Sequence, residues 1–322
     1  MTDIQPSTTP MIRLGTRGSR LALLQAEEVR RRLTAANPEL AVEGAVEVVV
    51  IRTTGDRVTD RALAEIGGKG LFTKEIEEAL ADGRIDAAVH SMKDVPTWIP
   101  DGMALAAILP REDVRDAYFS PHGPTLLDLP AGAVVGSASL RRQAQVLAAR
   151  PDVQVSILRG NVETRLRKLA AGEVDATLLA VAGLNRLGLA ERIESRLDPQ
   201  DMLPAVAQGA IGLEIRADDA RTRDLVAPLD HQESALCVLA ERACLEVLDG
   251  SCRTPIGVLA ELEDGGDSLR LRALLAEPDG SRLWRSERRG APRDAVELAR
   301  DAGRELRAAA GEDFFERLAD LF

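Results

Sequence analysis

Runs of apolar residues divide the chain into short strands and amphipathic helices. Val46–Ile51 is a continuous run rich in β-branched residues and of strand length, and Ile85–Val89 and Met103–Leu109 are two more. Between them, Ile76, Ala79 and Leu80 recur at helical spacing within Thr73–Ala81. Ser19 is placed to cap a helix reaching about Ala36, with Leu21, Leu24 and Leu33 on or near one face and Pro38 beyond its end. Strand, helix, strand in this order predicts a parallel sheet with helices on its faces.

The pattern then restarts. Ala133–Gly136 reads as a strand, Leu140–Ala149 as a helix stopped by Pro151, Val153–Leu158 as a strand, Val162–Ala171 as a helix and Ala176–Val181 as another strand. The two α/β units join near Pro110–Arg115. The strand-like Ala210–Ile215 is placed to return to the first unit, which gives two crossovers between lobes. From Gln232 the texture changes to a helix over about Glu233–Leu248, alternating runs at Ile256–Leu262 and Leu269–Ala276, a strand at Arg282–Ser286 and a helix over Asp294–Ala310. The predicted fold is therefore α/β, two lobes with a cleft, plus a small α+β C-terminal domain. The expected division is 11–110 with 210–229, then 115–205, then 232–322.

Composition narrows the function. A length of 322 residues with 45% hydrophobic content supports several packed cores. A net charge of −11 argues against coating nucleic acid or anionic lipid, so any anion site must be a local basic pocket. Aromatics at 2% argue against base-stacking platforms, and no apolar run reaches the roughly 18 residues of a membrane span. The first ten residues lack the features of a secretory signal and read as a loose leader. Cys237, Cys244 and Cys252 suit a reducing cytoplasm, and the scattered His90, His122 and His231 suggest no metal.

Arginines stand where strands give way to helices: Arg17 before the first helix, Arg141 and Arg142 after Ser137-Ala138-Ser139, Arg159 and Arg165 around Gly160-Asn161, and Arg186 after the Ala176–Val181 strand. Ligands of open α/β sheets sit at that end, beside helix N-termini. Arginine forks match carboxylates or phosphates. Together these residues predict a site for a multiply anionic ligand. Gly67-Gly68-Lys69-Gly70 fails the nucleotide-loop pattern and reads as a mobile loop carrying one cation. Lys93 and Asp94 follow a buried strand, and their adjacency fits either a solvated charge pair or a Schiff-base lysine beside an acid. Cys237 and Cys244, seven apart on one helix, read as core; Cys252, next to Arg253 in a loop, is either a free thiol or a reactive one.

Taken in order, these segments resemble the porphobilinogen deaminase (hydroxymethylbilane synthase) family from Ile12 onward. The markers are Gly15-Thr16-Arg17-Gly18-Ser19, Gly67-Gly68-Lys69-Gly70-Leu71-Phe72, His90-Ser91-Met92-Lys93-Asp94-Val95-Pro96, Ser139-Leu140-Arg141-Arg142-Gln143, Arg159-Gly160-Asn161-Val162, Gln208-Gly209-Ala210, and Glu241-Arg242 leading to Gly250-Ser251-Cys252. The resemblance implies two domains like a periplasmic binding protein plus a third. It implies head-to-tail condensation of four porphobilinogen molecules into hydroxymethylbilane, with loss of ammonia, by a monomer. It implies a dipyrromethane cofactor held by a thioether to Cys252, with Asp94 catalytic. Binding contacts carried over fall on Arg17, Ser19, Lys69, Ser91, Lys93, Ser137, Ser139, Arg141, Arg142, Arg159, Gly160, Arg165, Arg186 and Gln208. Ala207 departs from the family pattern, standing where a glycine is frequent. A two-lobed organic-acid-binding protein is the main rival reading, since fold alone does not decide function.

Overall fold

The computed structural model describes residues 11–57, 70–248 and 254–321. Strands β1 (Ile12–Arg17), β2 (Val46–Ile51), β3 (Ala87–Ser91) and β4 (Met103–Ile108) come first. The chain then makes β5 (Asp116–Phe119), β6 (Val134–Gly136), β7 (Gln154–Ser156), β8 (Ala176–Ala180) and β9 (Ser195–Arg196), followed by β10 (Ile211–Arg216). The last strands are β11 (Ile256–Glu263), β12 (Ser268–Ala276) and β13 (Leu283–Gly290).

Two five-stranded sheets share one plan, β2-β1-β3-β10-β4 in the first lobe and β7-β6-β8-β5-β9 in the second. In each, the first three strands are parallel and the fourth is antiparallel. The expectation of wholly parallel sheets is corrected here. The fourth strand of each sheet arrives from the other lobe, β5 outward and β10 on the return, rather than through a helical crossover. Strand β1 pairs along its whole length with the apolar β2, Ile12 opposite Val46 and Arg17 opposite Ile51. The first core gathers Leu14, Val29, Leu33, Ile211 and Leu213; the second gathers Tyr118, Val135, Val146 and Leu178. Full burial of one such side chain is worth about 1.5–3 kcal/mol.

The C-terminal layer is an antiparallel meander, β11-β12-β13, packed on the helices Gln232–Val247 and Ala295–Ala310. Its core runs on into the first lobe, where Met92, Val95 and Ala210 join Val238, Ala240 and Cys244 in one cluster. The third unit therefore sits directly beneath the Met92–Asp94 turn.

Helix starts line up at the cleft between the lobes. Ser19 Oγ accepts from Ala22 N at 3.3 Å, Ser139 Oγ from Arg142 N at 3.4 Å, and Asn161 Oδ1 from Thr164 N at 2.8 Å. Such caps contribute about 1 kcal/mol each. They also leave three positive helix ends at the place where the sheets stop. The crossovers touch tightly: a Cβ on Gly209 (φ 92°) would lie 2.5 Å from the Glu112 carbonyl oxygen, so only glycine fits there. No helix among the described residues is long and apolar enough to cross a membrane.

Candidate active site

The cleft has a volume of about 380 Å³. Arg17, Ser19, Phe72, Ser91 and Lys93 line it from the first lobe; Arg142, Arg159, Gly160, Arg165 and Arg186 line it from the second. The Arg17 guanidinium lies 4.0 Å above the Phe72 ring and its Nη1 is 3.5 Å from Asp94 Oδ2. Asp94 closes the one-turn helix Met92–Asp94 directly after β3, which fixes it at the mouth of the sheet. Ser91 Oγ donates to Gln25 Oε1 at 2.9 Å.

The second wall is a cluster of cations short of anions. Arg159 Nη1 is buried with no hydrogen-bond partner. Among the described residues Arg165 reaches only the Gly160 carbonyl, at 2.8 Å. Its pKa is pushed down to about 10, first by burial and then by the charges of Arg142 and Arg159. Among the described residues no carboxylate ion-pairs with Arg159 or Arg165. The Lys93 side chain is exposed to the cleft yet enclosed by the two walls, which desolvates its ammonium. Its pKa is lowered by this desolvation, with Arg142 and Arg141 pushing the same way and Asp94 and Asp116 opposing. Arg186 is lowered by burial, against the pull of Glu28, 3.6 Å away. A site built this way lacks negative charge, and a ligand with several carboxylates supplies it.

Not every expected contact faces this space. Arg141 gives its fork to the protein, donating to Asp116 Oδ2 at 2.7 Å and to the Leu203 carbonyl at 2.7 Å. Arg142 holds Asp116 through Nη2 at 2.7 Å while still lining the cleft. Burial alone would raise the Asp116 carboxyl, but the two guanidinia outweigh it and hold it far below the usual carboxylate range. Gln208 donates to the Val114 carbonyl at 2.7 Å and to Asp116 Oδ1 at 2.9 Å, so its amide stitches the crossovers together. Ser139 caps the Leu140–Ala149 helix, and Ser137 Oγ accepts from Ser139 N at 3.1 Å. Lys69 and Cys252, with the rest of Gly67-Gly68 and Gly250-Ser251, lie outside the described residues.

Residues the sequence reading passed over complete the site. Asp116 bridges the arginine pair, Phe72 floors Arg17, and Arg20 bridges the lobes to Glu163 at 2.7 Å. For Asp116 the signal was a lone charge opening a short apolar run, Asp116-Ala117-Tyr118-Phe119. Cys237 and Cys244 are buried, and desolvation pushes their thiols up to about 11 and about 12. No group of three or more metal-ligating side chains occurs among the described residues.

The geometry defines a two-lobed α/β protein with an arginine-lined cleft at helix N-termini and the Met92–Asp94 turn at its edge, Lys93 lining the cleft and Asp94 paired with the cleft-lining Arg17. Residues 12–224 match the family model "Porphobilinogen deaminase, dipyromethane cofactor binding domain", and residues 235–308 match "Porphobilinogen deaminase, C-terminal domain". The chain is 57% identical to porphobilinogen deaminase of Nitrobacter hamburgensis, over 95% of this chain and 96% of that one. It is 55% identical to that of Paracoccus denitrificans, over 98% and 99%. It is 56% identical to the chloroplastic enzyme of Oryza sativa subsp. japonica, over 96% and 86%. The chain belongs to the porphobilinogen deaminase family.

Proposed function

We propose that this chain joins four porphobilinogen molecules head to tail, releasing ammonia, to give hydroxymethylbilane, and that the cleft between the lobes is where it does so. The observation that carries this reading is the wall of Arg142, Arg159 and Arg165, whose charges no described carboxylate balances beyond Asp116. Each pyrrole ring brings an acetate and a propionate, so a growing chain brings the matching anions. The orphaned Nη1 of Arg159 also fits a carboxylate of the dipyrromethane cofactor that the family carries. Bound by a thioether to Cys252, that group supplies the pyrrole carbon to which the first substrate is joined.

The chain's own residues divide the work. Arg159 and Arg165 hold carboxylates, and the capped helix ends reinforce them. Asp94 stabilises the positive charge left on a substrate ring as ammonia departs, and accepts from pyrrole N–H groups. Arg17, stacked on Phe72, pairs with the Asp94 carboxylate at 3.5 Å and ties it to the cleft wall. Lys93, whose pKa desolvation lowers, holds a proton that it gives up more readily than a free lysine does. Arg141, Ser137, Ser139 and Gln208 serve by shaping the wall rather than by touching ligand. We assign residues 11–110 and 210–229 to one domain, 115–205 to a second and 232–322 to a third, in line with the three sheets. A monomer working in the cytoplasm is the simplest setting, and the buried thiols of Cys237 and Cys244 suit a reducing compartment.

The test is single-turnover ammonia release at matched cofactor loading. Asp94→Asn keeps the shape and removes the charge, and is expected to slow release by roughly 10²–10³. Asp94→Glu should retain more activity than Asn. Release at the wild-type rate by Asp94→Asn would move the role elsewhere, to Lys93 first.

A further inference from the structure

The turn that carries Asp94 has little to hold it locally. Its start is tied by Met92 N donating to the Ala210 carbonyl at 3.0 Å. Val95 N returns to the Met92 carbonyl at 3.2 Å, and the chain then leaves through Pro96, which has no N–H to offer. Three successive carbonyls follow, on Val95, Pro96 and Thr97. All three accept from one side chain of the third domain. Arg242, buried on the helix Gln232–Val247, donates from Nη1 to Val95 O at 3.1 Å and from Nη2 to Pro96 O and to Thr97 O at 3.2 Å. The guanidinium serves these carbonyls from two separate nitrogens held in one rigid plane, whereas a lysine ammonium would have to serve all three from a single nitrogen on a flexible stem.

We propose that Arg242 is a positioning residue for the reaction: by gathering the Val95, Pro96 and Thr97 carbonyls it sets the place and direction of the Asp94 carboxylate from the third domain. The inference rests on the catalytic reading of Asp94. The neighbouring Glu241 is buried and binds Arg111, Ala207 N and Ala260 N. Adjacent residues of one helix therefore grip both the crossovers and the Asp94 turn. Glu214 and Glu246 supply counter-charge to the buried guanidinium, against the cost of its burial. Removing Arg242 leaves the carboxylate in the cleft but frees the backbone that aims it. Misplacement of a reacting group by about 1 Å costs on the order of 10²-fold in rate.

A double-mutant cycle on the cofactor-loaded enzyme separates positioning from mere support. Arg242→Gln is expected to slow single-turnover ammonia release by roughly 10- to 100-fold. The KM for porphobilinogen and the cofactor content, read by intact mass, should stay near wild type. In an Asp94→Asn background the same substitution should change the rate by less than about twofold, because no aimed charge is left to lose. Equal losses in both backgrounds would assign Arg242 to general support and overturn the proposal, as would wild-type release in Arg242→Gln alone. Should the Gln variant fail to fold, Arg242→Lys runs through the same cycle with a smaller loss. Wild-type release in Asp94→Asn alone would instead refute the catalytic reading of Asp94, before the cycle is closed.

Discussion

Asp116→Asn is a sharp test of how the cationic wall is built. The Asp116 side chain is fully buried and accepts from Arg141 Nη2, Arg142 Nε, Arg142 Nη2 and Gln208 Nε2. Arg141 and Arg142 are only 5% and 6% exposed, so water cannot replace the lost charge. Breaking a buried pair by removing one partner costs about 3–5 kcal/mol, and here two cations are stranded by one change. For a protein of 322 residues that lowers the melting temperature by roughly 4–7 °C. The pH dependence has a fixed sign. The folded carboxyl is held far below its unfolded value, so its contribution is fully present above about pH 3.9 and is lost as pH falls from there toward the folded value. Thermal unfolding followed by circular dichroism should show a large gap between wild type and Asp116→Asn at pH 7, narrowing only in strong acid. A variant melting within about 1 °C of wild type at pH 7 would refute the idea that Asp116 holds the pair together.

Arg165 is held where burial and like charges disfavour its own charge, so Arg165→Gln should raise the melting temperature of cofactor-free protein while reducing cofactor retention, read by intact mass. A lower melting temperature with full retention would contradict an anion-binding role. Ala207 sits at φ 57°, a left-handed conformation that costs an alanine about 1–2 kcal/mol, so Ala207→Gly should shift the urea midpoint upward by the part of this that glycine's unfolded entropy leaves, about 0.5–1 kcal/mol. A downward shift would show that the left-handed conformation costs the alanine less than the entropy glycine adds to the unfolded chain. Cys237 and Cys244, with thiols pushed up to about 11 and about 12, should resist iodoacetamide at pH 8 in the folded protein and react after unfolding; peptide mapping that found either alkylated in the native state would place it nearer solvent than the structure does.

What was legible in the sequence follows from how local each cause is. The helix Leu140–Ala149 and the strand Val46–Ile51 emerge at the predicted bounds, because a Ser cap, a Pro stop and a β-branched run act within a few residues. The return of Ala210–Ile215 to the first lobe was also legible, as the strand-like stretch after the second arginine-rich unit. Strands β5 and β9 were not foreseen: one opens on a buried charge and the other spans two residues, and β5 is held inside the second sheet by pairing with β8 on one side and β9 on the other. Arginines at the strand-to-helix junctions marked the cleft correctly for Arg142, Arg159 and Arg165. Arg141 could not be told from Arg142 by spacing, since only the approach of Asp116 from the crossover decides which fork is spent on the protein. Asp94 was singled out by family motif and its place after a buried strand; Arg242's grip on the same turn depends on packing between sequence-distant segments, which no local pattern carries.

The claim that the cleft holds a carboxylate-rich pyrrole chain on Cys252 is tested most directly by the intact mass of the purified chain, before and after brief exposure to porphobilinogen. The account predicts an initial excess of two porphobilinogen-derived units, then a ladder of further single-unit additions, with the excess absent in Cys252→Ser. A chain at its unmodified mass that gains nothing from porphobilinogen, or an excess that maps to Cys237 or Cys244, would contradict it.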